Sequence, residues 1–336
     1  MITIQIKDGN GEVLFTIQDF FSLSISESIN QSGTLNLSFP TKERMRKQKL
    51  QKGWRISVYY GFSLTEVIQL FDGFISGFTL NSDHIYLEAT NWIGYLQYRM
   101  LRTAKNYSTV TIKTIIQQCF EELNQTSRLP FLLGQNTCET PLTRDFIVGS
   151  SFFDVLKAAE EVNPKLCYRM KAEGDQIFLE VGEGIGEIIP GVWVFDSKDP
   201  TKTNIVKWER KDSMDNFFNF ISTPAGNLTN QEHVDATGLL FEKNETDEQK
   251  KRLPEVSVIP TLTISRDTDW RKFNVGDRKH IKLITGYERL TIDYLGIIQT
   301  RNLSITPGGI KVEIKVSDKY REETNILDLM LKKIKK

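Results

Sequence analysis

Gly182-Glu-Gly-Ile-Gly186 follows a run of strand-forming residues, the setting in which a glycine-rich turn can cradle phosphate. Such a turn needs wider spacing before its third glycine and a helix behind it to present free N–H groups. Here one residue separates Gly184 from Gly186 and Pro190-Gly191 leads straight into another strand, so the segment is expected to be a connector. His84, His233 and His280 stand far apart, and no pair has the spacing of zinc ligands. A hydrolase would need one of them held as a base beside a nucleophile, a convergence that no local motif announces. Glu121-Glu122 and Glu160-Glu161 place carboxylates side by side, but neighbours on a helix point in different directions and are expected to face water. Cys119, Cys138 and Cys167 are odd in number and lack C-x-x-C spacing, which points to buried free thiols. No catalytic, metal-binding or cofactor-binding residue is expected.

The elements that would have to position chemistry point elsewhere. At 336 residues, the chain exceeds what one growing core usually serves, so two or more domains are expected. Lys+Arg 43 against Asp+Glu 43 leaves no net charge and removes the diffuse basic field of a general nucleic-acid binder. A balance near zero also permits packing against copies of itself. The first residues, MITIQIKDGNGEVLF, lack a basic segment and an uninterrupted apolar run, and nowhere do eighteen apolar residues follow one another. A soluble chain made in the cytoplasm, with no membrane insertion, is the expectation.

Residues 2–6 and 12–17 alternate apolar and polar around Lys-Asp-Gly-Asn-Gly, predicting a hairpin. Leu23–Ser26, Thr34–Phe39, Arg55–Tyr60, Val67–Phe71 and His84–Glu88 continue as short strands of a sandwich or barrel. At Ser108 the period changes. Ile112, Ile115, Ile116, Cys119, Phe120 and Leu123 share one helical face, with Ser108 or Thr109 as N-cap. A second helix over 151–163 is capped by Ser150 or Ser151 and stopped at Asn163-Pro164. Cys167–Met170 and Gln176–Val181 predict a hairpin, so 103–190 read as a small α+β insertion. Strand patterns resume at Val192–Phe195, Asn204–Trp208 and Phe217–Ile221. They return at Thr261–Ile264, Lys279–Ile284, Leu290–Thr300 and Ile310–Val316, with a turn at Thr306-Pro-Gly-Gly309. The charged stretch 224–252 is expected to be a loop with one helical turn at Asp247–Arg252.

The chain also echoes itself. Gly53 and Gly276 each stand just before an alternating strand, Gly61 and Gly286 lie near a turn, and Gly73 and Gly296 open a further strand. Gly53 to Gly73 and Gly276 to Gly296 have the same spacing, and each copy closes on an alternating strand, Ile85–Glu88 and Ile310–Glu313. Two related β domains flanking an inserted α+β unit explain this, and a trimer of such chains would present six similar edges.

Two segments carry a family resemblance: Gly73-Phe-Ile-Ser-Gly-Phe-Thr-Leu80 with Ile85–Thr90 and Trp92–Leu101, and Val148–Val162 with the hairpin after it. In them the chain resembles bacteriophage baseplate and tail hub proteins, shared by contractile and non-contractile tails and related injection devices. The resemblance implies a mainly β protein with an α+β insertion. Its tube-like β-barrel or sandwich domains would cover 1–102 and 191–318, the inserted domain 103–190, and a C-terminal helix 319–336. It further implies a non-enzymatic homotrimer at the virion tail tip, assembled in the host bacterial cytoplasm, whose pseudo-hexameric ring joins the tail tube or a distal tail protein to a tip or spike protein. A tape-measure protein is a further partner, and DNA would pass through the lumen without specific binding.

In the last segment Ile326, Leu327, Met330, Leu331 and Ile334 form an apolar stripe, with acids early and lysines late as the helix dipole favours. This helix is expected either to pack on its own domain or to dock on a neighbouring tail component. Two other functions compete: a tail-associated cell-wall hydrolase, and a carbohydrate- or receptor-binding module using Trp193, Trp208 and Phe217–Phe220. Alternating aromatics in strands are more often core.

Overall fold

The structure is a computed structural model and describes residues 1–41, 50–61, 67–173, 176–209, 220–223, 226–229, 231, 242–244, 261–264, 273–284 and 291–317. The chain begins as antiparallel sheet: β1 (Ile2–Lys7), β2 (Val13–Ile17), β3 (Ser22–Ser28), β4 (Thr34–Pro40), β5 (Arg55–Gly61), β6 (Val67–Leu80) and β7 (His84–Asn91). The expected first hairpin is closed by Asp8, whose Oδ1 accepts from the Asn10 and Glu12 N–H groups at 2.9 Å each.

The α+β part follows as α1 (Trp92–Tyr95), β8 (Lys105–Thr111), α2 (Ile112–Thr126), β9 (Leu132–Asn136), β10 (Pro141–Phe146), α3 (Phe152–Val162), β11 (Leu166–Glu173) and β12 (Gln176–Glu183). The helix expected from residue 108 starts later. Residues 105–111 pair with β10 as a strand, and the N-cap is Thr111, whose side chain accepts from Thr114 N. At α3 the cap is Ser151, in a reciprocal box with Asp154, which satisfies two amide donors left open by the first turn. The apolar stripes of α2 and α3 share one core with β11 and β12, built on Ile116, Phe120, Phe152, Leu156, Tyr168 and Leu179.

The remaining strands are β13 (Ile188–Asp196), β14 (Ile205–Glu209), β15 (Phe220–Thr223), β16 (Gly226–Thr229), β17 (Glu242–Asn244), β18 (Thr261–Ile264), β19 (Arg278–Ile284), β20 (Thr291–Thr306) and β21 (Gly309–Ser317). The chain divides into two compact units, Met1–Trp208 with Thr261–Glu322, and Glu209–Pro260 with Glu323–Lys336. In the second, β15 pairs antiparallel with β16 and parallel with β17. Two strands therefore stand inside 224–252, where a loop was expected: hydrogen-bonded backbone overrides a charged composition. The helical turn expected at 247–252 lies outside the described residues, as does the C-terminal segment 318–336.

In the first unit the strands from both ends of the chain form one sheet, ordered β14-β18-β21-β20-β3-β4-β7-β6-β5-β1-β2, with β13 and β19 branching from β20. A single apolar core runs beneath it, from Ile4, Phe39 and Ile56 to Trp193, Ile281 and Ile314. The fold is mainly β with a small α+β part.

The echo in the sequence is an echo in hydrogen bonding. Gly53 N donates to Ile75 O at 2.8 Å and Ile75 N to Trp54 O at 2.8 Å; Gly276 N donates to Ile298 O at 2.7 Å and Ile298 N to Asp277 O at 2.8 Å. Gly53 and Gly276 sit at φ of 87° and 88°, a left-handed conformation that glycine adopts without a Cβ penalty. The β5–β6 register sets Arg55 against Phe74 and Ile56 against Gly73, and the β19–β20 register sets Arg278 against Ile297 and Lys279 against Gly296. Both long strands then bulge at the same place, Ser76 opposite β7 and Gln299 opposite β21. The copies diverge at their flanks, where β1 runs antiparallel to β5 but β13 runs parallel to β19.

Candidate assembly interfaces

Where the two copies meet, the second half of β20 leaves β19 and pairs antiparallel with β3, from Thr300 opposite Ser28 to Ile305 opposite Leu23. Alternation puts Arg301, Leu303 and Ile305 on the buried side of the strand. Arg301 Nε donates to Glu27 Oε2 at 2.9 Å, its Nη2 to the same oxygen, and its Nη1 to Phe273 O at 2.7 Å. Ser26 Oγ donates to Asn302 Oδ1 at 2.7 Å. Main-chain pairing thus joins the copies, and a buried, charge-assisted contact sets their register.

Two polar knots hold the α+β part against this junction. Asn30, in the left-handed region at φ 60°, donates from Nδ2 to Leu166 O at 2.8 Å and to Glu160 Oε1 at 3.3 Å. Lys157 Nζ donates to Glu160 Oε2 at 2.7 Å and to Asn30 O at 3.1 Å. In the second knot Arg169, only 2 % exposed, donates to Glu180 Oε2 at 2.8 Å, Asp277 Oδ1 at 2.7 Å and Val275 O at 2.7 Å. Burial opposes the guanidinium charge, but the adjacent Asp277 and Glu180 carboxylates overcome it and hold the Arg169 pKa above its ordinary value. Asp277 also accepts from Glu187 N at 3.1 Å and, through Oδ2, from Asn274 N at 2.7 Å. It stands directly after Gly276, so one carboxylate ties the repeat's entry turn to the insertion.

The residues singled out for chemistry lie apart. Gly182–Gly186 joins β12 to β13, and a Cβ on Gly186 would sit 2.2 Å from Gly276 O, so the loop is a close backbone packing point. His84 contacts the Tyr86 ring edge-on, with ring centroids 4.7 Å apart, and His280 pairs with Asp293 on the surface; His233 lies outside the described residues. Cys119, Cys138 and Cys167 are buried free thiols; burial pushes the Cys119 thiol up to about 11. Among the described residues no three His, Cys, Asp or Glu side chains are grouped to hold a metal. No helix among them is long and apolar enough to cross a membrane. Trp193 is core, packed edge-on against Phe273 at 5.0 Å, and Trp208 is half-buried beside Phe195. Phe217, Phe218 and the docking stripe Ile326, Leu327, Met330, Leu331 and Ile334 lie outside the described residues.

The water-facing expectation for the acidic pairs needs correction. Glu161 does face solvent, paired with Arg144 at 2.8 Å, but Glu160 is 4 % exposed in the Asn30 knot. Glu122 accepts from Arg102 N at 2.8 Å, Thr103 N at 3.1 Å and Thr103 Oγ1 at 2.9 Å, and pairs with Lys105 at 2.8 Å. Sequence reasoning passed over Asn30, Arg169, Arg301 and Asp277. Asp277's place beside the echoed Gly276 was the one available signal.

This architecture belongs to a known class: the chain has the fold of bacteriophage tail proteins and of a related secretion component. The 43 kDa tail protein of prophage MuSo2 from Shewanella oneidensis matches with a TM-score of 0.63 at 12% identity, over 94% of this chain and 97% of that one. A tail protein from Neisseria meningitidis MC58 matches with a TM-score of 0.63 at 14% identity, over 94% and 96%. An E. coli type VI secretion component, described as similar to T4 phage tail proteins, matches with a TM-score of 0.56 at 10% identity, over 93% and 76%. No protein-family model and no curated protein matches the sequence. At these identities the likeness is one of fold.

Proposed function

We propose that the chain is a structural, non-catalytic hub of a phage tail tip or baseplate. Three copies form a ring of six similar β units that continues the tail tube, joins it to a tip or spike protein and surrounds a channel. DNA, and the end of a tape-measure protein, pass through that channel; a chain with no net charge suits passage without tight phosphate binding. The observation that carries this reading is the repeat itself: one sheet holds two copies of the same hydrogen-bonded strand pattern, so three chains can meet a six-fold tube. The fold shared with tail proteins supports it. Polar knots at Asn30 and Arg169 fit a part that must stay rigid under load. The last eighteen residues, 319–336, are proposed to dock on a neighbouring tail component.

Mass photometry and cryo-EM of the isolated protein test the proposal. Three-fold particles with six similar lobes are expected, whereas a strict monomer at high concentration that also fails to enter tails defeats it.

A further inference from the structure

The Asn30 knot sets reacting groups side by side as well as clamping the insertion. Asn30 stands in the turn between β3 and β4, and Lys157 and Glu160 stand one turn apart on α3. Both oxygens of the Glu160 carboxylate are engaged: Oε2 accepts from Lys157 Nζ at 2.7 Å and Oε1 from Asn30 Nδ2 at 3.3 Å. One carboxylate therefore places a primary amine beside a carboxamide, and the same Nζ lies 3.1 Å from the Asn30 main-chain oxygen. The carboxamide oxygen is held separately, by the Tyr168 N–H at 2.7 Å. Asn30 and Glu160 are each 4 % exposed.

Each of these contacts has a use in amide exchange. A lysine amine is a nucleophile once it has lost its proton, and a carboxylate touching it can take that proton. A backbone N–H on the carbonyl oxygen stabilises the negative charge that develops there under attack. Glu160 also stands against the nitrogen that must leave, so it can hand the proton on. Fixing amine and carboxamide on one carboxylate replaces an encounter in solution by a step within the fold. Burial of Asn30 keeps water from competing for its carbonyl carbon, while the Lys157 side chain, 40 % exposed, leaves ammonia a way out.

We propose that Lys157 Nζ attacks Asn30 Cγ and joins α3 to the β3–β4 turn by an amide bond. The Cγ–Nδ2 bond breaks and the nitrogen leaves as ammonia. Of the three protons on the charged lysine, one passes through Glu160 to the departing nitrogen, one converts the ammonia to ammonium, and one stays on the new amide. No oxidant, reductant or further reactant is needed. Glu160 and the rings of Phe153 and Tyr168, 5.4 and 5.7 Å from Nζ, favour the charged lysine. The neutral amine is therefore scarce, and the bond forms slowly, after folding. Until it forms, hydrogen bonds alone hold the knot. Once formed, it closes a loop from residue 30 to residue 157 that unfolding cannot open, so the linked fraction unfolds at higher urea.

The full-length chain, held below its unfolding midpoint for several days, is sampled by intact mass spectrometry and tryptic mapping. A species lighter by one ammonia should accumulate, and its digest should contain a branched peptide joining residues 8–42 to residues 145–165, uncut after Lys157. Lys157→Arg keeps a cation beside Glu160 without the primary amine and should give no branched peptide. Glu160→Gln should form the branch at least about tenfold more slowly; if that variant does not fold, Lys157→Arg still decides. An unchanged mass overturns the proposal, and so does an ammonia loss confined to the 8–42 peptide, which marks a succinimide. Equal rates in Glu160→Gln and the unmodified chain overturn the part given to Glu160.

Discussion

Asn30 and Tyr168, 138 residues apart in the chain, hold one another by three hydrogen bonds. Tyr168 N donates to Asn30 Oδ1 at 2.7 Å, Tyr168 Oη to Asn30 O at 2.8 Å, and Asn30 N to Tyr168 O at 3.1 Å. The side chain mimics a strand partner for β11, and the left-handed backbone at φ 60° aims it there. Asn30→Ala leaves the buried Tyr168 N–H without its acceptor and adds backbone strain, so a loss of about 3 kcal/mol is expected. Asn30→Gly keeps the conformation accessible and should lose about 1 kcal/mol less. Urea unfolding measures both; equal losses would show that the backbone conformation contributes nothing.

Arg169 neutralises two carboxylates in a place water scarcely reaches. Arg169→Met takes the guanidinium from both carboxylates, leaving Lys171 at 3.7 Å from Glu180 and the Glu187 and Asn274 amides on Asp277, and a destabilisation of about 3 kcal/mol is expected. Chemical denaturation reads this directly, and a change under about 1 kcal/mol would mean that the pair behaves as a surface contact.

Glu122 gives the fold an acid limb. Burial pushes its carboxyl up, but Lys105, the Arg102 and Thr103 amides and the Thr103 hydroxyl outweigh it and hold the group at about 2, against an ordinary 4.5. The folded pKa is depressed, so the stabilisation is complete above the unfolded value of 4.5 and is lost as pH falls from there toward about 2. Solvent screening of this group near the surface reduces its size to on the order of 1 kcal/mol. Glu122→Gln should flatten the decline of the unfolding midpoint across that window; an unchanged slope would assign the acid sensitivity to other groups.

Two glycines with positive φ should respond unequally to alanine. Gly53 has no atom within 4 Å of an added Cβ, and Gly53→Ala should cost only the left-handed conformation, about 1–2 kcal/mol. Gly186, at φ 109°, would drive its Cβ against Gly276 O, and Gly186→Ala should cost more than about 3 kcal/mol, on the order of a core clash. Thermal unfolding that ranks the two the other way round would refute the close-packing role given to the 182–186 connector.

Strand alternation around Gly53 and Gly276 made the repeat legible, because a turn glycine and the strand after it are local features. The same holds for α3, where Ser151 and Asp154 announce the cap three residues apart. What escaped was decided by partners distant in sequence. Residues 105–111 became β8 through pairing with β10, which moved the helix start to Thr111. Leu132–Asn136 lacks alternation and is a strand because β12 lies beside it. Glu160 reads as one more helical acid until Asn30 and Lys157 close over it.

Because β20 closes on β3, a contact such as Ser26 to Asn302 spans 276 residues. At roughly 5–20 residues per second, a nascent chain carries β3 with that edge bare for roughly 15–55 s before its own partner emerges from the ribosome. Neighbouring nascent chains on one message would offer each other competing strands throughout that interval. Slow, high-contact-order closure of this kind makes the yield of correctly joined protein a matter of synthesis rate and temperature as much as of final stability.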